Sequence, residues 1–98
     1  MLSFPLLLMS TPLSIADIRR TIDEADDILL KALTARFRAI KYLKEIKRAT
    51  DMQIESPSRE AELKARWKAR AEELGLAPEL PLLMLDFILI ESKRLQTL

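Results

Sequence analysis

Ninety-eight residues, 49% of them hydrophobic and 32% charged, describe one folded domain and not a disordered chain. A net charge of +1, with both signs mixed along the sequence, lacks the basic footprint of a nucleic-acid binder. With no Cys and no His there is no disulfide framework, no thiolate and no usual neutral-pH acid or base, so any catalysis has to work through placement and electrostatics.

A single Gly and an abundance of Ala, Leu, Glu, Lys and Arg point to an all-α chain. At the N-terminus, Leu6-Leu7-Leu8-Met9 is apolar, but Pro5 and Pro12 bracket it and no basic residue precedes Arg19. A secretory signal needs a positive start and an apolar core of about 7–15 residues, so the fit is poor. Residues 1–12 read as a short N-terminal extension, a candidate for disorder, on a cytoplasmic protein; residues 13–98 read as the helical domain.

Ser14 is a good N-cap with Asp17 three residues on, a variant of the capping box. From there Ile15, Ile18, Ile22, Ala25, Leu29, Leu33, Arg36, Ile40, Leu43 and Lys47 follow a helical stripe with neither Gly nor Pro before Pro57. Acidic residues crowd the first third and basic ones the last, which complements the macrodipole. The expectation is one helix of about 35 residues, roughly 50 Å long. Near its end, Arg36, Ile40, Leu43 and Lys47 share a face whose aliphatic members turn it inward. Two cations on such a face imply an anion to receive them, because burying an unpaired charge costs several kcal/mol.

Residues 50–55 read as a connector. Ser56 as N-cap and Pro57 as first helical residue open a second helix, whose first turn carries Arg59 and Glu60. Leu63, Trp67 and Leu74 form its apolar face, with Trp67 read as a packing residue. Gly75 is the expected left-handed stop, with Leu76 behind it. Pro78 and Pro81 lead into a third helix over about 81–97. Its stretch Leu82 to Ile90 is apolar, yet Asp86 interrupts it and it is half the length of a membrane span. A second stripe, Leu85, Leu89, Ser92 and Gln96, carries neutral hydrogen-bonding groups where the first carries charge.

A helix this long cannot bury its stripe against two shorter ones without further help, and pairing across a twofold axis is the common solution, so an intertwined homodimer is expected. Arg19 lies 17 residues before Arg36, which turns it about 100° off the Arg36–Lys47 face. If it serves a pocket of this kind, it more naturally serves the partner's.

The series Ile18-Arg19-(x)2-Ile22-Asp23-(x)2-Asp26, then Arg36, Lys47, Arg59-Glu60 and Ser92-(x)3-Gln96, resembles the all-helical (AroQ-type) chorismate mutases over about residues 13–96. The resemblance implies three helices per subunit in an intertwined dimer with two active sites, each borrowing Arg19 of the partner subunit. It implies the Claisen rearrangement of chorismate, a dianion, to prephenate, a step of aromatic amino acid biosynthesis, with no cofactor, no metal and no covalent intermediate. By position, Arg36 and Arg19 of the partner subunit look like carboxylate clamps, suited to guanidinium forks. Lys47 and Gln96 resemble the pair that hydrogen-bonds the ether oxygen. Arg59 supports that cationic wall, Glu60 resembles the acceptor for the ring hydroxyl, and Ser92 matches a carboxylate-contacting hydroxyl. Ser56 stands where many bacterial members carry Asp, and this departure bears on the hydroxyl side of the pocket.

Two other readings stand beside this one. An isochorismate–pyruvate lyase shares the fold and is similar around Ala16-Asp17-Ile18-Arg19, but Glu60 matches the mutase. A non-catalytic helical dimerisation module would treat the same cations as ordinary surface charge. Arg20, Lys31, Arg38, Lys41, Lys44 and Arg48 are read as solvated on either view. Neither nucleic acid nor a membrane is an expected partner. The sequence leaves no room after Gln96 for a fused regulatory domain, so a monofunctional enzyme is expected.

Overall fold

The computed structural model describes residues 13–50 and 56–98 of the chain. The extension expected over residues 1–12, and residues 51–55 of the expected connector, lie outside the described residues. The described residues form α1 (Ile15–Thr50), α2 (Pro57–Glu73) and α3 (Glu79–Thr97), without a strand among them, so the all-α expectation holds. The chain divides into two compact units, Met1–Arg36 and Phe37–Leu98.

In the first unit, α1 starts where the sequence places its cap. The Asp17 backbone N–H donates to Ser14 Oγ at 3.1 Å, and the Ser14 N–H donates back to Asp17 Oδ2 at 3.2 Å. Two backbone donors that a helix start leaves orphaned are thereby satisfied reciprocally. The Ser14 hydroxyl adds a third bond to the same carboxylate oxygen at 2.8 Å, and these bonds hold the Asp17 carboxyl below the usual carboxylate range. Beyond the cap, the apolar stripe is open: Ile18 is 43% exposed, Ile22 54% and Leu29 44%. The inward-facing stripe expected from the sequence is therefore about half open among the described residues of this unit. α1 as a whole buries no residue fully.

The second unit has a small core between α2 and α3. Leu63 and Ala71 of α2, with Leu85 and Ile88 of α3, are buried, and Leu85 is entirely so. Leu63, Trp67 and Ala71 recur every four residues, which sets them along one side of α2. On α3 the buried residues are Leu85, Ile88, Ser92 and Gln96. This corrects the expected stripe by one position: Ile88 is buried where Leu89 was expected, and Leu89 is half-buried. Both fit an i, i+3/i+4 register, and only packing selects between neighbours on the same edge.

The helix ends are set by short-range chemistry. Ser56 has extended backbone, and its Oγ accepts from the Arg59 N–H at 3.4 Å, with Pro57 at the first helical position. α2 stops in a Schellman motif: the Leu76 N–H donates to the Ala71 carbonyl at 2.8 Å and the Gly75 N–H to that of Glu72 at 3.1 Å. Gly75 has φ 76°, as its role requires. α3 begins at Glu79, two residues before the expected Pro81. Pro81 falls in the first turn, where its missing N–H would have had no helical partner.

Nothing lies within 4 Å of a Cβ built at Gly75, so only the backbone penalty of its φ acts on a substitution. Gly75→Ala is expected to lower stability by about 1 kcal/mol, and Gly75→Asn by less, in denaturant titrations at fixed protein concentration. Equal stability of all three proteins would contradict this account of the α2 terminus.

Candidate functional site

The polar residues of the second unit gather where the last turns of α1 meet the C-terminal half of α3. Lys47 and Gln96 make the central contact: the Lys47 Nζ donates to Gln96 Oε1 at 3.1 Å. Gln96 is 8% exposed and Lys47 is half-buried. The carboxamide is fixed at its other end as well, since Gln96 Nε2 donates to the Ser92 carbonyl at 3.2 Å. The opposite amide orientation would set two donors face to face at the ammonium, so the network itself assigns oxygen and nitrogen.

Ser92 lies one turn before Gln96 and is 4% exposed. Its hydroxyl donates back to the Ile88 carbonyl at 2.7 Å. This local bond meets a buried donor's requirement and leaves the hydroxyl oxygen able to accept. Among the described residues, no buried side-chain nitrogen or oxygen lacks a hydrogen-bond partner. The C-terminal stripe of α3 is therefore apolar at Leu85 and Ile88, then polar and fully satisfied at Ser92 and Gln96. Nearby, the Lys44 ammonium donates to the Leu98 carbonyl, so α1 also reaches the very end of α3. From the sequence alone Lys44 reads as solvated, and this contact lies at the exposed surface.

Glu60, in the first turn of α2, forms an ion pair between its Oε1 and the Lys93 Nζ at 2.8 Å. Both side chains are partly buried, at 27% and 36% exposure. Lys93 was not singled out from the sequence. Its only signal there was its position beside Ser92 and three residues before Gln96, and a lone Lys in such a place usually faces water.

Arg59 is not drawn into this group. Its guanidinium pairs with Glu62 on its own helix at 3.1 Å and is 57% exposed. An i, i+3 pair on an exposed face is a shallow minimum, worth a fraction of a kcal/mol, so an anion elsewhere could compete for that guanidinium. Ser56 is exposed and its hydroxyl is committed to the cap, with Ser58 Oγ 3.4 Å away. In the first unit, Arg36 is half-buried. Arg19 is exposed and has no ion-pair partner among the described residues.

The second unit thus holds an ammonium beside a neutral carboxamide, a buried hydroxyl, and a carboxylate held by a second ammonium. These groups can bind an anion and donate hydrogen bonds to an oxygen that gains charge. A carboxamide nitrogen carries two N–H groups, so Gln96 retains one beyond its bond to the Ser92 carbonyl. No described helix is long and apolar enough to cross a membrane. No solved structure matches the chain. Residues 18–97 match the model of one protein family, described as chorismate mutase type II.

Proposed function

The chain belongs to the chorismate mutase type II family, and we propose that it converts chorismate to prephenate by clamping the substrate and stabilising its ether oxygen. The observation that carries the mechanism is the Lys47–Gln96 contact of 3.1 Å at the polar end of the buried α3 stripe. In the Claisen rearrangement a C–O bond breaks as a C–C bond forms. No proton or electron leaves the substrate, so the side chains have only to hold and polarise. Negative charge builds on the ether oxygen in the transition state. The Lys47 ammonium, held by the Gln96 carboxamide oxygen, and the second N–H of that carboxamide, whose first is on the Ser92 carbonyl, stabilise that charge more than the ground state, which lowers the barrier.

Arg36 and Arg19 of the partner subunit take the two carboxylates, with Ser92 as a further donor and Arg59 lending positive charge to the wall. Glu60 accepts from the ring hydroxyl, and Ser56, beyond capping α2, borders that side. The clamps hold the enolpyruvyl arm over the ring in a near-attack geometry, which removes much of the entropic part of the barrier.

The homodimer belongs to the same proposal. The first unit presents Ile18, Ile22 and Leu29 about half open to solvent, and an amphipathic helix without an apolar partner is marginal in water. A second copy of the chain offers a matching stripe across a twofold axis. A cytoplasmic enzyme without cofactor or metal completes the reading.

Incubation with chorismate is expected to yield prephenate, whereas salicylate and pyruvate from isochorismate would instead identify a lyase. Lys47→Ala and Arg36→Ala are each expected to lose about 3 kcal/mol or more of transition-state stabilisation, a fall of at least about 150-fold in kcat/KM. An unaltered rate in both variants would rule out the mutase reading.

The origin of Arg19 is tested by mixing two inactive variants. Arg19→Ala and Lys47→Ala subunits, unfolded and refolded together, are expected to recover up to about a quarter of wild-type activity, because each mixed dimer regains one intact site. No recovery, with mixed dimers demonstrably formed, would place Arg19 in its own chain's site.

The third expectation concerns pH. A neutral Gln96 donates at any ordinary pH, so the wild-type rate is expected to stay nearly flat from about pH 6 to 8. In Gln96→Glu only the protonated acid can donate, so the rate should fall as pH rises through its titration. A steep wild-type decline over that range would count against a carboxamide donor.

A further inference from the structure

We propose that Lys93 is a positioning residue of the substrate pocket: its ammonium holds the Glu60 carboxylate aimed as the acceptor for the ring hydroxyl. This rests on the mutase reading and deepens it. The two side chains meet at 2.8 Å, joining the first turn of α2 to the polar end of α3. Lys93 directly follows buried Ser92 and lies one turn before buried Gln96, so its stem leaves α3 at the margin of the polar stripe. Among the described residues, Lys93 is the only cation paired with Glu60.

The chemistry favours such a group. A carboxylate beside a doubly negative substrate faces repulsion, which would turn a flexible side chain away from the hydroxyl it is to receive. Lys93 supplies the countercharge, and it does so through Oε1. A carboxylate has acceptor sites on two oxygens, so capacity for a substrate hydroxyl remains. Arg59, the neighbouring cation in the sequence, is turned to Glu62 and does not perform this task. Lys93 also sets specificity: a carboxylate anchored in place rewards a ligand with a hydroxyl at that point over one lacking it.

The experiment is a double-substitution cycle in the full chain with chorismate as substrate, using Lys93→Met, Lys93→Arg, Glu60→Gln and Lys93→Met/Glu60→Gln. Lys93→Met is expected to raise KM about tenfold with kcat changed by less than about threefold, while Lys93→Arg stays within about threefold of wild type in both. In the Glu60→Gln background, Lys93→Met should cost less than about twofold, because its effect runs through the carboxylate. Thermal melts of the single variants separate this from a structural role. A fall in melting temperature with KM unchanged would mean that the pair only ties α2 to α3, and would overturn the proposal. So would fully multiplicative effects in the double variant, or wild-type kinetics for Lys93→Met. If the wild-type chain forms no prephenate, the mutase reading falls and takes this inference with it. If wild type turns over and Lys93→Met matches it, only the role of Lys93 falls.

Discussion

An ammonium brought to the edge of an apolar surface needs an acceptor that does not neutralise it, and the Lys47–Gln96 contact meets that need. A carboxylate in place of the carboxamide would satisfy the lysine completely and leave little for a ligand. A leucine would strip the lysine of its acceptor on α3. The neutral amide is the intermediate solution: it orders the side chain and adds no negative charge of its own. Around it, Ser92 and Gln96 are each tied to a backbone carbonyl of α3, so among the described residues the buried polar groups are satisfied.

The helices themselves contribute mainly by register. α3 carries Leu85 and Ile88 into the core and, on the same side, Ser92 and Gln96 into the polar cluster. One helical face therefore anchors the unit and supplies its hydrogen-bonding groups. This economy ties stability to function: a shift of α3 along α2 that disturbed Leu85 would also misplace Gln96. α2 enters through a capped first turn, and that turn brings Glu60 to Lys93. The Schellman stop at Gly75 then reverses the chain and allows α3 to pack back on α2. The first unit is of another kind. Its helix is well capped but buries no residue among those described, and under the proposed function its apolar stripe and Arg19 both belong to the association of two chains.

Much of this was legible in the residues. Ser14 and Asp17, Ser56 and Pro57, and Gly75 are local signals whose hydrogen bonds involve only near neighbours, so the sequence alone located the start of α1 and both ends of α2. The periodicity of Leu85, Ser92 and Gln96 singled out one side of α3 because a helix repeats every 3.6 residues, whatever surrounds it. The all-helical class followed from composition, and the resemblance carried by the polar series from Arg19 to Gln96 led to the family that residues 18–97 match.

Tertiary structure decided what depends on contacts between distant residues. It selected Ile88 over Leu89 for the core, because both satisfy the helical period and only the surface of α2 distinguishes them. It joined Lys93 to Glu60, a pairing between residues on different helices that no spacing rule could reveal. It turned Arg59 toward Glu62, since a flexible guanidinium takes the nearest carboxylate when no stronger anion competes. Caps, periods and turns are short-range and are written in neighbouring residues; the choice of partner for a long charged side chain is settled only when the helices come together.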